Sequence, residues 1–149
     1  MIKVKKGIES KEHLCDLWTK MYANEGKPDW SHILPYYAEN IIFRDSIQEI
    51  KGIEEFTQMT ERLVERSKDM KMEIANCIQD GNIIIVEWIM SLTFRKYPNS
   101  KMYGVSRHTL DDKDMIIEQR DYFDLWGDIF DNIPFMTKRY RKFMKKRFG

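Results

Sequence analysis

Ile84, Val86, Trp88, Met90, Leu92 and Phe94 occupy every even position from 84 to 94, while Glu87, Ser91, Thr93 and Arg95 appear among the odd ones. A period of two over so many residues is the mark of a β-strand with one buried face. The spacing predicts a strand over 83–96, which would span roughly 45 Å if straight. No small domain holds a flat strand of that length, so it must bend and twist, wrapping its sheet into a half-barrel or cone. The neighbouring segments repeat the period. Met70, Met72, Ile74 and Ile78 are expected on one face of the preceding strand, and Asp80-Gly81-Asn82 forms the hairpin turn between the two. Pro98-Asn99-Ser100 is expected to turn the chain into a strand over 101–110, and 111–114 to turn it into a last strand over 115–125.

Before residue 70 the period is helical. Leu14, Leu17, Trp18, Met21 and Tyr22 recur on one face behind an N-cap at Ser10. Gly26 and Pro28 end that helix, Asp29 caps a short second one, and Pro35 opens a new turn. Ile41, Phe43 and Asp45 alternate with Ile42, Arg44 and Ser46 as a short strand, and Phe56, Met59 and Leu63 stripe a helix to about Ser67. The end of the chain, 127–149, reads as a basic amphipathic helix with Met136, Tyr140, Phe143 and Met144 on one stripe. Helices followed by consecutive antiparallel strands give an α+β order. The expected fold is a strongly curved antiparallel sheet, a cone or half-barrel closed by N-terminal helices, in one domain over 1–149.

Composition narrows the function classes. The longest unbroken apolar run covers 83–86, against the roughly 20 residues a membrane-spanning helix needs. Residues 1–10 hold three lysines and no apolar core, so no secretory signal is expected and the expected compartment is cytoplasmic. Cys15 and Cys77 are expected as free thiols. The three histidines show no metal-ligand spacing and no glycine-rich loop cradles a phosphate, so neither metal nor cofactor is expected. Net charge is +1, yet 137–149 carries seven Lys/Arg and no acid, leaving an acidic body and a basic tail. The tail is expected to dock its apolar stripe on the domain or a second subunit. An anionic membrane surface is the lesser alternative, and nucleic acid is not expected because no other basic, aromatic-interleaved patch occurs.

The inward parity of the strands points to a site. Pairing Leu110 with Met115 across the last turn sets His108 opposite Ile117, Ser106 opposite Gln119 and Gly104 opposite Asp121, with Arg107 opposite Glu118 on the outer face. The inner face is then apolar except at Ser106, His108, Gln119 and Asp121, with Asp45 joining from the first strand. Buried polar groups cost free energy unless paired, and carboxylates with an imidazole in an apolar cavity are how acids and bases are tuned toward neutral pH. The bland alternative is a self-satisfied structural network.

The stretch Tyr37-Ala38-Glu39-Asn40-Ile41-Ile42-Phe43-Arg44-Asp45 followed by Gly52, and the run Arg120-Asp121-Tyr122-Phe123-Asp124-Leu125, resemble the nuclear transport factor 2-like superfamily. Within it they resemble the SnoaL-like and limonene-epoxide hydrolase branch. That resemblance implies that Asp121 matches the carboxylate of the hydrolases' Asp–Arg–Asp triad. Trp88 and Met90 stand where the triad's other two members would fall, and Phe43 and Asp45 where a water-positioning Tyr and Asn would. By likeness to ketosteroid isomerases, Asp45 matches the general base, and the two oxyanion donors fall near Met21 or Tyr22 and on Ser106. The superfamily resemblance also implies a homodimer.

The expected function is that of a small-molecule enzyme of isomerase, cyclase, dehydratase or hydrolase type acting on an apolar ligand. Asp121 or Asp45 would be the base and His108 an acid or orienter. Tyr22, Phe43, Trp88, Met90, Ser106, Gln119 and Phe123 would contact the ligand. A non-catalytic binding or dimerisation module is the alternative.

Overall fold

A computed structural model of the chain describes residues 6–24, 26–129 and 133–149. Helix α1 (Lys11–Met21) starts where Ser10 accepts a hydrogen bond from the His13 N–H and buries Leu14, Leu17, Trp18 and Met21. Two 3-10 turns follow, Trp30–His32 capped by Asp29 and Leu34–Tyr36 with Pro35 in its first turn. Strand β1 (Tyr37–Arg44) and the short β2 (Glu49–Lys51) precede α2 (Ile53–Arg66), which buries Phe56, Met59 and Thr60. Four strands follow: β3 (Lys71–Asp80), β4 (Ile83–Phe94), β5 (Tyr97–Leu110) and β6 (Ile116–Phe123). A π-helical turn, Leu125–Ile129, and α3 (Pro134–Phe148) end the chain.

The six strands form one curved, unclosed sheet in the order β2-β1-β6-β5-β4-β3. β3 to β6 are antiparallel neighbours, as the sequence predicts, but the sheet is mixed because β1 runs parallel to β6. Periodicity within a strand says nothing about the direction of a partner distant in sequence, and β2 has too few residues to show a period. α1 packs on β3 and α2 on β1 and β2, so both helices close the concave side.

Irregularities in the ladders supply the curvature and explain where expectation and structure part. Between Ile74 and Asn76 β3 carries an extra residue, so Cys77 rather than Ile78 faces inward and Ile78 is 53% exposed. The β4–β5 turn falls at Arg95–Lys96, with Arg95 at φ 56°, not at Pro98–Ser100. Pro98 and Asn99 instead lie within β5, opposite a break in the register between Leu92 and Phe94. Between β5 and β6 the pairing sets His108 opposite Gln119, Ser106 opposite Asp121 and Gly104 opposite Phe123, two residues away from the expected register. An irregularity beside Leu110 pairs it with Ile116 and turns Ile116, not Ile117, into the core. A slip of two preserves the face, so Gln119, Asp121 and Phe123 keep their inward parity. Arg107 pairs with Arg120 in the ladder, yet its guanidinium still reaches Glu118 diagonally at 3.2 Å.

Cys15 on α1 and Cys77 on β3 are free thiols. Burial, then the neighbouring Cys77 thiol, pushes Cys15 up to about 12. No helix among the described residues is long and apolar enough to cross a membrane. Of the segment expected as one helix over 127–149, residues 127–129 belong to the π-helical turn and 130–132 lie outside the described residues. No residue of α3 is buried, and Phe135, Phe143 and Phe148 are exposed.

Candidate functional site

The concave face of β4, β5 and β6, with the end of β1, meets α1 and α2 around a cavity of about 350 Å3. Trp88 forms part of its wall. A Cβ at Gly104, the residue opposite Trp88 on β5, would come within 2.2 Å of the indole, so the ring lies against bare backbone. In that position the indole Nε1 donates to Ser106 Oγ at 2.9 Å. Met90, Met102 and Phe123 extend the apolar wall, and Phe43 joins from β1.

One edge of this wall is polar. Asp121 projects from β6 and receives a hydrogen bond on Oδ1 from Gln119 Nε2 at 2.9 Å. Tyr37, at the start of β1, donates its hydroxyl to Gln119 Oε1, which fixes the amide with its nitrogen toward the carboxylate. Burial pushes the Asp121 carboxyl up to about 6; the Ser106 hydroxyl and Gln119 amide pull it down, and Asp45 adds a smaller upward push. Desolvation wins because only two neutral donors oppose it. Tyr22 lines the same cavity, its phenol held well above the usual range by burial and by the Asp121 charge, so it stays protonated as a donor.

Asp45 lies just past the end of β1, in the turn to β2, rather than on the strand. Its Oδ1 accepts from the backbone N–H groups of Ile47 and Gln48 at 2.7 and 2.8 Å. It therefore shapes the turn as well as lining the cavity.

Of the residues the sequence singles out, Asp45, Asp121, Tyr22, Phe43, Trp88, Met90, Gln119 and Phe123 all line this one cavity. Ser106 and His108 share their inward parity, but both are fully buried and neither lines it. Ser106 sits behind the wall, joining Trp88 to Asp121. His108 lies under α1, where Trp18 packs edge-on against the imidazole with ring centroids 5.6 Å apart. Burial pushes it down to about 4, against a weaker upward pull from the Ile84 carbonyl 3.3 Å from Nδ1. Nε2 is buried without a hydrogen-bond partner among the described residues. His108 is thus a neutral core residue; strand parity gives the face but not what a helix lays over it.

Sequence reasoning passed over Tyr37 and the α2 wall. Met59, Arg62, Leu63 and Arg66 all line the cavity at helical spacing, and the signal was present as two arginines flanking the apolar stripe. No group of three metal-ligating side chains occurs among the described residues.

Comparison with known proteins agrees with this architecture. A search by sequence among curated proteins finds no match. A protein put forward as a SnoaL-like polyketide cyclase from Jannaschia sp. CCS1 superposes with a TM-score of 0.65 at 22% identity, covering 85% of this chain and 93% of that one. Another from Shewanella putrefaciens CN-32 gives 0.66 at 14% identity, over 84% and 86%. An LEH-like epoxide hydrolase from M. tuberculosis gives 0.64 at 16% identity, over 81% and 86%. At these identities the likeness establishes the NTF2-like cone fold. The sequence profile of the SnoaL-like domain matches residues 18–119, the span holding α1's cavity face, α2 and most of the sheet, and the chain belongs to that family.

Proposed function

We propose that the protein is a small-molecule enzyme acting on an apolar ligand, with Asp121 as the general base. The observation that carries this reading is the Asp121 carboxylate on the wall of an apolar cavity, raised to about 6 by burial while Ser106 and Gln119 orient it. At neutral pH such a group is ionised yet far more basic than an ordinary aspartate. It takes a proton from an acidic carbon or from water, and the apolar wall strengthens each charge interaction within. The Tyr22 hydroxyl is the donor for an oxyanion that develops on the substrate. Asp45, with one oxygen holding the turn, raises Asp121 further. His108, enclosed and neutral, supports the wall and transfers no proton in this scheme.

The catalytic reading is tested by following exchange of the α-protons of 2-tetralone, an apolar ketone, in heavy water. General-base catalysis contributes about a hundredfold or more, and the exchange rate should rise through pH 6 and fall to background in Asp121→Asn. Exchange equal to that in buffer, or unaffected by Asp121→Asn, overturns it.

A non-catalytic binding module remains the second reading, favoured by the way Gln119 and Ser106 already satisfy Asp121. It predicts saturable binding of 2-tetralone without exchange. We also propose a homodimer through the outer sheet face, where Ile89 pairs with Tyr103 and Val105 with Tyr122 and both tyrosines are more than half exposed. Light scattering of the wild type and of Tyr103→Lys measures this; a monomeric wild type rejects it. The free thiols support a cytoplasmic location.

A further inference from the structure

Five charged groups of the sheet pair with one another. Arg44 pairs with Glu49 at 2.6 Å and Glu118 at 3.3 Å, Arg107 with Glu118, and Lys51 with Glu49. Two arginines on α2 differ. Arg62 and Arg66 are exposed and form no salt bridge among the described residues, although acids adjoin both in sequence. Glu65 lies three residues after Arg62, close enough along the helix to pair, yet the two form no ion pair among the described residues; Arg62 and Arg66 sit one turn apart at the edge of the buried arc. That edge continues through Met59 and Leu63, and all four line the cavity.

The cavity is therefore bipolar. Its sheet side and the β1–β2 turn supply two carboxylates, Asp121 and Asp45, and its α2 side supplies two guanidinium groups.

We propose that the ligand of this cavity carries an anionic group, a carboxylate or phosphate, held at the mouth by Arg62 and Arg66 while its apolar body lies against Trp88, Met90 and Phe123. This rests on the cavity being the ligand site and adds the class of ligand. Planar guanidinium forks suit carboxylate and phosphate oxygens alike, and charge at the α2 side keeps the anion away from Asp121. It also fixes which end of the ligand enters first, so the atoms beside Asp121 belong to the uncharged end.

The test is calorimetric titration at low ionic strength with acid and amide pairs of matched shape: 2-naphthoate with 2-naphthamide, and decanoate with decanamide. 2-Naphthyl phosphate is measured alongside. Because both arginines are solvent-exposed, each ion pair is modest, and together they should favour an anion over its amide by about three- to tenfold, the preference shrinking as salt is added. In R62Q/R66Q that preference should vanish while the amides bind as before. Naphthoate or naphthyl phosphate preferred in the wild type and not in the double variant supports the proposal and tells which anion fits better. Amides that bind as tightly as every anion, or a preference that survives R62Q/R66Q, overturn it while leaving the cavity as a ligand site. Binding of neither member of either pair overturns both readings.

Discussion

Asp121→Asn should make this protein more stable at neutral pH, and the gain should grow with pH. Burial sets the Asp121 carboxyl at about 6 against an ordinary value of 3.8. A carboxyl raised in the folded state favours folding fully only below the unfolded value. That contribution is lost as pH rises from about 4 to about 6, because the unfolded chain ionises first. Linkage gives the wild type a handicap of about 0.5 kcal/mol at pH 4 and roughly 3 kcal/mol at pH 7.5. Asparagine retains an oxygen to accept from Gln119 and carries no charge to desolvate, so the variant escapes the handicap. For a domain of this size a 3 kcal/mol gain is worth about 6–12 °C in Tm. His108 sharpens the experiment. Pushed down to about 4, it contributes stability above its ordinary 6.5 that is lost as pH falls toward 4. In the wild type the two slopes oppose each other between pH 4 and 6; in the variant the His108 slope stands alone. Urea unfolding of both proteins at half-unit steps from pH 4 to 8 measures the difference directly, with groups common to both cancelling. A difference that stays flat across that range, or a less stable variant at pH 7.5, would refute the claim that Asp121 is held ionised at a cost.

Other outcomes follow from the same geometry. Gly104→Ala places a methyl group against the Trp88 indole and should destabilise by about 1–3 kcal/mol in chemical denaturation, with loss of 2-tetralone binding as the ring is driven into the cavity. Gln119→Leu removes a donor to the Asp121 carboxylate, so the midpoint of the exchange rate against pH should move up by about one unit from 6. Deleting residues 137–149, none of them buried, should change Tm by less than about 3 °C in a thermal scan.

The period of two made the inner face of β4 and β5 legible, since Ile84 to Met90 and Ser106 to Leu110 needed only local alternation. Asp121, Gln119 and Phe123 survived a two-residue error in register because parity is all that a face requires. Ile78 and Ile117 did not survive, since a bulge changes parity and leaves no mark on hydrophobic pattern. Parallel pairing of β1 with β6 was hidden for a different reason: it joins residues about eighty positions apart with no turn between them to set the register. His108 shows the limit most plainly. Its face was read correctly, but whether an inward residue meets a cavity or a helix depends on Trp18, which arrives from another element. Arg62 and Arg66 lie beside the apolar stripe of Phe56, Met59 and Leu63, and the stripe alone does not show that they border a cavity.

The most direct test of the central claim is the carboxyl carbon shift of Asp121 followed by NMR across pH 3 to 8, assigned by comparison with Asp121→Asn. A midpoint near 6 is the expected result. A midpoint near 4, that of a solvated aspartate, would contradict the desolvated base on which the proposed chemistry depends.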